Sequence, residues 1–218
     1  GATEITYAEF RAQVRALAEG LHSLGVGRGD TVALMLTNRP EFSLVDTAVM
    51  HLGATAFSVY NTSSAEQANH LFRNAGNRIV VTERQFLPRV LESRTPEIEH
   101  IVLVDGAEAG TMPLQDVVRL RTPGFDFDSA WRVVQPDAAV TLIYTSGTTG
   151  PSKAVQLTHG SVLFQTRGVA AVLGLQTGGR SISYLPSAHV GDRCLTHYGG
   201  SLCFGNSVTS IPDHRQVG

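Results

Sequence analysis

Residues 54–82, "ATAFSVYNTSSAEQANHLFRNAGNRIVVT", decide the fold. The stretch opens on an apolar strand, "ATAFSVY". Ser64 and Gln67 then stand at capping-box spacing, in which a hydroxyl and a side-chain amide each satisfy a free backbone N–H at a helix start. The helix they open runs to Gly76, and "RIVVT" (78–82) is a second strand. Short apolar strands alternating with amphipathic helices predict a parallel sheet with helices on both faces, because a strand buried on both sides reads as a continuous apolar run.

The same alternation extends in both directions. Upstream, "ITYAEFRAQVRALAEGLHSLG" (5–25) carries a capping box at Thr6 and Glu9, with Ile5 and Phe10 placed as a hydrophobic staple. Phe10, Val14, Leu17, Leu21 and Leu24 recur at helical spacing, and Gly25 is a stop signal. "TVALML" (31–36) follows as a buried strand, and Pro40 opens a helix closing at Gly53. Downstream, a helix is expected around Phe86 to Ser93 despite Pro88, then the strand "HIVLVD" (100–105). Between Gly106 and Pro136 the pattern weakens around Pro113, Pro123 and Gly124; a short helix in a surface excursion is expected there, marking a subdomain seam. The pattern returns with the strand "AAVTLIYT" (138–145), "AVQLTH" (154–159), a helix from about Gly160 to Leu173, the strand "SISYLP" (181–186), a helix around Arg193 to Leu202, and "SVTSI" (207–211).

Composition sets the class. The chain has 218 residues, 42% of them hydrophobic and 17% charged, with a formal charge of −2, which fits a globular protein and excludes a disordered tail. No basic run interleaves with aromatics, so a nucleic-acid partner is not expected. No apolar run approaches the ~18 residues of a transmembrane helix, and nothing resembles a signal peptide. Cys194 and Cys203 fit a reducing compartment, and the protein is expected to be cytoplasmic or peripheral to a membrane. The chain opens on Gly1 and stops at Gly218, just after an apparent strand, so either end is expected to be a cut.

The sharp chemistry lies in "YTSGTTGPSKAV" (144–155). A strand delivers the chain into Thr145, Ser146, Gly147, Thr148, Thr149 and Gly150, and the chain's single lysine, Lys153, follows. Glycines let backbone N–H groups approach an anion, hydroxyls add neutral donors, and the ammonium adds charge; phosphate is the natural partner. A flexible turn of common turn residues is the blander alternative. The Walker loop fails, since Ser152 precedes the lysine and Ala154 follows it. "GVGRGD" (25–30) fails as a dinucleotide fingerprint because it runs from helix to strand, and no G-x-S-x-G elbow occurs.

At this loop the sequence resembles the adenylate-forming (AMP-binding) superfamily, whose phosphate loop reads roughly [YF]-T-S-G-[ST]-T-G-x-P-K-G-V. "SYLPSAHVGDRCLTHYGG" (183–200) further resembles the segment after the loop in long-chain fatty acyl-CoA synthetases. The resemblance covers the chain and implies the first part of the large N-terminal domain, so that residues 1–218 form an incomplete AMP-binding domain lacking the C-terminal domain with its catalytic lysine. It implies ATP-dependent activation of a long-chain fatty acid to acyl-AMP and then, with coenzyme A, to acyl-CoA, with Mg2+ assisting. Thr145, Ser146, Gly147, Thr148, Thr149, Gly150 and Lys153 match the loop that holds the ATP phosphates, and His189 matches a histidine near the acyl and adenylate pocket. No certain catalytic residue and no metal ligand is assigned to the chain. The implied partners are a fatty acid and a complementary C-terminal polypeptide. The alternatives are a truncated fragment that binds nucleotide or a partner without ligase activity, and a fatty acyl-AMP ligase that serves a carrier protein.

Ser152 and Ala154 stand where the family has proline and glycine, and weakened phosphate binding is expected from them. His189, Cys194, His197 and Cys203 match no common zinc spacing, so both cysteines are expected to be small buried residues. The remaining histidines are expected at surface or cap positions. Phe125, Phe127 and Trp131 are expected to anchor their segment to the core. Arg193, beside Asp192, is expected to begin a helix as a structural residue, with a substrate carboxylate or a pairing across the helix turn as its other readings. A sheet ending near Ile211 is expected to leave an open edge and an uncovered apolar face, with self-association as the result.

Overall fold

A computed structural model describes residues 4–145 and 151–212. Its elements, in chain order, are α1 (Tyr7–Ser23), β1 (Thr31–Met35), α2 (Pro40–His51), β2 (Thr55–Ser58), α3 (Ala65–Ala75), β3 (Ile79–Thr82) and α4 (Leu87–Glu92). They continue with β4 (His100–Leu103), β5 (Met112–Pro113), α5 (Leu114–Arg119), α6 (Phe127–Arg132), β6 (Ala139–Thr145), β7 (Lys153–Thr158), α7 (His159–Leu173), β8 (Arg180–Ser183), a π-helix (Asp192–Cys203) and β9 (Ser207–Ser210).

Seven strands form one sheet in the order β5-β4-β3-β1-β2-β6-β7, and β8 and β9 form a separate parallel pair. Within the large sheet every pairing is parallel except β6 with β7. β1 shows why helices must cover both faces. Successive side chains of a strand point to opposite sides. Val32 and Leu34 enter one apolar cluster with Leu17 and Leu21 of α1 and Val45 of α2, while Ala33 and Met35 enter another with Phe72 of α3 and Val90 of α4.

The capping signals act as their chemistry requires. Thr6 and Ser64 each make the reciprocal bonds of a capping box, with Glu9 and Gln67. Gly76 closes α3 with φ +65°, a conformation open to glycine at no steric cost. Pro88 sits in the first turn of α4, where no intrahelical partner for an N–H is lost.

The segment 106–136 differs from the single short helix expected. It contributes β5, α5 and α6, and its Leu114, Val117 and Phe127 are buried in the cluster shared with α1 and α2. Phe127 is the anchor and Phe125 packs beside it; Trp131 remains 41% exposed, so it does not share that role.

The helix expected near Arg193 is a π-helix. Its width brings each carbonyl beneath the residue five positions on, and two glycines make room. A Cβ on Gly199 would lie 2.7 Å from the Cys194 carbonyl oxygen, and one on Gly200 3.0 Å from that of Leu195. The wider winding also changes which side chains face the core. Cys194 is half-buried and Cys203 exposed, not the buried pair expected, and both are free thiols that burial pushes up in pKa.

α7 is apolar on nearly every side, yet only Val162 and Thr166 are buried. Phe164 is 80% exposed and Val172 83% exposed, and Ile182 of β8 and Leu195 of the π-helix are exposed as well. This is the uncovered apolar surface expected beside the last strands. Among the described residues no helix is long and apolar enough to cross a membrane.

Candidate functional site

β6 and β7 are the two stems of a hairpin at the edge of the large sheet, and Thr145 and Lys153 are register partners at its mouth. Both are exposed. Ser146, Gly147, Thr148, Thr149 and Gly150 lie outside the described residues. The hairpin geometry places the ammonium-bearing residue and the first hydroxyl of the loop side by side, where both can face one anion.

Helix α3 secures both stems. The Tyr144 hydroxyl donates to Asn74 Oδ1 at 2.8 Å, and burial pushes that phenol up to about 12, so it stays a donor. On the other stem His70 Nε2 lies 2.9 Å from the Ser152 carbonyl oxygen; a carbonyl only accepts, so Nε2 carries the hydrogen. His70 is therefore half-buried and engaged, not the surface or cap histidine expected. Ala154 lies within β7 opposite Tyr144, and no non-glycine residue has positive φ among the described residues. Its methyl thus needs no unusual backbone, which removes the conformational ground for expecting weakened phosphate binding from that position.

His189 sits after β8, on the turn that leads into the π-helix, with its side chain exposed. Its Nδ1 accepts from the Gly191 N–H at 3.0 Å, which leaves the proton of the neutral ring on Nε2, free for another partner. Among the described residues no hydrogen bond joins His189 to Thr145 or Lys153. Nor, among the described residues, do three or more His, Cys, Asp or Glu side chains come together as a metal site. A cleft of about 420 Å³, lined by His22, Arg28 and Phe125 among others, contains none of Thr145, Lys153 and His189.

A buried charged cluster stands behind the His189 turn. Arg193 is fully buried; its guanidinium donates to Asp46 Oδ1 of α2, to Ser58 Oγ at 2.6 Å, and to the Ala56 carbonyl at 3.3 Å. It lies 5.3 Å from the Phe42 ring centroid and 5.8 Å from that of Tyr198. The other oxygen of Asp46 is 3.0 Å from His197 Nε2. Burial alone would push the Asp46 carboxyl up, but the Arg193 charge and the His197 hydrogen bond more than reverse it, and the group stays below the usual aspartate range. Arg193 therefore stands in the first turn of the π-helix as the structural residue expected, and its ion pair is with Asp46 rather than with Asp192. Asp46 was legible only as an acid inside the apolar run "FSLVDTAVM", and Arg193 only as one arginine among many.

The family described as "AMP-binding enzyme" matches residues 1–216. The chain belongs to that family. This chain is 53% identical over 107 residues to the uncharacterized protein Rv1549 of Mycobacterium tuberculosis, covering 49% of this chain and 61% of that protein. It is 32% identical over 204 residues to the long-chain-fatty-acid–CoA ligase FadD15 of Mycobacterium bovis, covering 89% of this chain and 33% of the ligase. Among solved structures, the N-terminal domain of FACL13 from Mycobacterium tuberculosis superposes with a TM-score of 0.82 at 24% identity, over 97% of this chain and 51% of that one. The chain thus spans less than two thirds of the length of these relatives, and the α/β architecture is that of an adenylate-forming N-terminal domain.

Proposed function

We propose that this chain is the phosphate-binding portion of an ATP-dependent ligase that activates a long-chain fatty acid. The observation that carries the reading is the β6–β7 hairpin, whose mouth sets Thr145 beside Lys153 at either end of a glycine- and hydroxyl-rich segment. The likeness to FadD15 supports the acyl class. In the reaction a fatty carboxylate oxygen bonds to the α-phosphorus of ATP as the bond to pyrophosphate breaks. The thiol of coenzyme A then gives up its proton, its sulfur bonds to the acyl carbon, and AMP leaves. The first step joins two anions, so what the chain contributes is charge neutralisation and position: Lys153 and the loop donors on the β- and γ-phosphates, with His189 toward the acyl and adenylate side. ATP, Mg2+ and coenzyme A are the co-substrates and cofactor of this proposal, and a complementary C-terminal polypeptide completes it.

A second reading rests on the same hairpin: a chain that binds nucleotide or a partner there without turning over. ATP–pyrophosphate exchange with a long-chain fatty acid, run with and without a polypeptide supplying the unmatched part of a relative, separates them. Exchange that needs the complement supports the ligase reading. No exchange in either case, with ATP still bound, leaves the fragment reading.

A further inference from the structure

A small cavity lies between α2, β8, β9 and the π-helix, lined by Asn38, Ser183, Ser187, Asp192, Thr196 and His197 among others. It leaves 20 Å³ in which the centre of a water molecule can sit. One water needs about 10–15 Å³ by that measure and two to four polar partners, so the space fits one water and nothing larger. Two polar networks end at its walls. On one side His197 is held through Nε2 by Asp46, and its buried Nδ1 has no partner among the described protein atoms. On the other, the Asp192 carboxylate, 4% exposed, accepts from Ser183 Oγ at 3.1 Å. Ser183 in turn accepts from Asn38 Nδ2, whose Oδ1 accepts from Ser187 Oγ at 2.9 Å.

We propose that this cavity is a binding site for a single structural water bridging His197 Nδ1 and the Asp192 carboxyl group. With Asp46 accepting from His197 Nε2–H, the ring protonated on that nitrogen alone presents a lone pair at Nδ1, and a buried acceptor left unmatched is unfavourable. A water supplies the missing partner and a bridge at once: it donates one hydrogen to Nδ1 and the other to Asp192, and its own lone pairs can accept from the hydroxyls of Thr196 or Ser201, which also line the space. A cation suits the site less well, because the Nδ1 lone pair and one carboxylate would be its only strong ligands there. The bridge joins the Asp46–Arg193 cluster to the Asn38–Ser183–Ser187 chain, which also holds the Leu185 carbonyl through Asn38 at 2.6 Å. The turn carrying His189 is thereby tied to α2 through Asp46 and to the loop before it through Asn38. His197 and Asp192 are positioning residues in this arrangement, whatever reaction the turn serves.

The test uses the full 218-residue chain. A high-resolution crystal structure is expected to show one solvent peak within about 2.7–3.2 Å of both His197 Nδ1 and an Asp192 oxygen. Spectra of the histidine-15N-labelled chain, in solution or sedimented for solid-state measurement, are expected to show His197 with hydrogen on Nε2 and a hydrogen-bonded acceptor at Nδ1. Asp192→Leu should abolish the Nδ1 hydrogen-bond signature while keeping the Nε2–H, and Asp192→Asn should retain both; the second variant serves if the first does not fold. A dry cavity, a His197 carrying hydrogen on Nδ1 with Nε2 bare, or an Nδ1 signal unchanged in Asp192→Leu would overturn the proposal.

Discussion

Asp46 on α2 and Arg193 in the π-helix form an ion pair with both side chains fully buried. Two unpaired charges at such a site would each be strongly unfavourable, and the pair persists because each nitrogen of the guanidinium has a partner, among Asp46, Ser58, Tyr198 and a backbone carbonyl. Breaking one side of a buried pair typically costs about 3–5 kcal/mol, whereas replacing both partners by apolar groups is often neutral or stabilising. Asp46→Ala should therefore lower the denaturation midpoint sharply, and Asp46→Leu combined with Arg193→Met should recover most of the loss. Urea unfolding of the three proteins checks this; equal losses in the single and double variants would show that the pair itself is not what matters.

The pair has an acid signature. A carboxylate held below its unfolded value contributes stability that is present above about pH 4 and lost as pH falls through the lower folded value. His51 and His159 act at higher pH. Burial pushes His51 down, with only partial opposition from its bond to the Thr47 carbonyl; burial and then the nearby His51 push His159 down, while Asp46 opposes. Both rings resist protonation in the folded state, so the unfolded chain binds more protons just below the ordinary histidine value of about 6.5, and stability must fall there as pH falls. Unfolding free energies measured from pH 8 to pH 5 should decline, and His51→Gln should flatten the decline. An unchanged slope in that variant would count against the assignment.

Lys153 is the one ammonium side chain of the chain, and at the hairpin mouth it is placed for a charge-assisted bond. Such a bond contributes about 1.5–3 kcal/mol, so Lys153→Ala should weaken ATP binding by roughly ten-fold or more in a calorimetric titration. Ala154→Gly should bring no gain in affinity, since the strand conformation at Ala154 does not call for glycine. A gain would mean that the alanine methyl obstructs the loop's approach to phosphate.

The sequence announced the sheet well because local chemistry carries it: the capping boxes at Thr6 and Ser64, and apolar runs such as residues 79–81, act within a few residues of themselves. Lys153 and its loop were legible for the same reason. What escaped notice depends on distant partners. Nothing near Asp46 names Arg193, 147 positions on, and nothing near His70 names the Ser152 carbonyl. The π-helix escaped because apolar spacing alone does not separate a winding of i→i+5 from one of i→i+4, and the signal that could have found it is the Gly199–Gly200 pair, which clears the carbonyls beneath.

Phe164 and Val172 on α7 are exposed apolar side chains, and the β8–β9 parallel pair has no further strands among the described residues. Parallel strands are ordinarily covered on both faces, and apolar patches of this kind drive association. The isolated 218-residue chain should elute from size exclusion at positions that shift with concentration in the micromolar range. Phe164→Ser with Val172→Ser should reduce the shift. A concentration-independent monomer would contradict the expectation.

Gly20 offers a test in which two familiar effects oppose each other. It lies within α1, where alanine is ordinarily better than glycine by about 1 kcal/mol because glycine loses more backbone freedom on folding. Here α5 approaches so closely that a Cβ on Gly20 would overlap the Val117 carbonyl oxygen, and a second contact, to the Val117 carbonyl carbon, would be 2.8 Å. The obstacle is backbone, which cannot rotate away as a side chain can, so α5 must shift and loosen Leu114 and Val117 from the core they share with α1. Overpacking of this kind costs about 1–3 kcal/mol, which exceeds the propensity gain. Gly20→Ala should therefore destabilise the chain, while Gly168→Ala in α7, where a Cβ meets nothing within 4 Å, should stabilise it. Thermal unfolding of the two variants side by side decides the matter: a stabilised Gly20→Ala would mean that α5 is not held against α1 as closely as its burial requires.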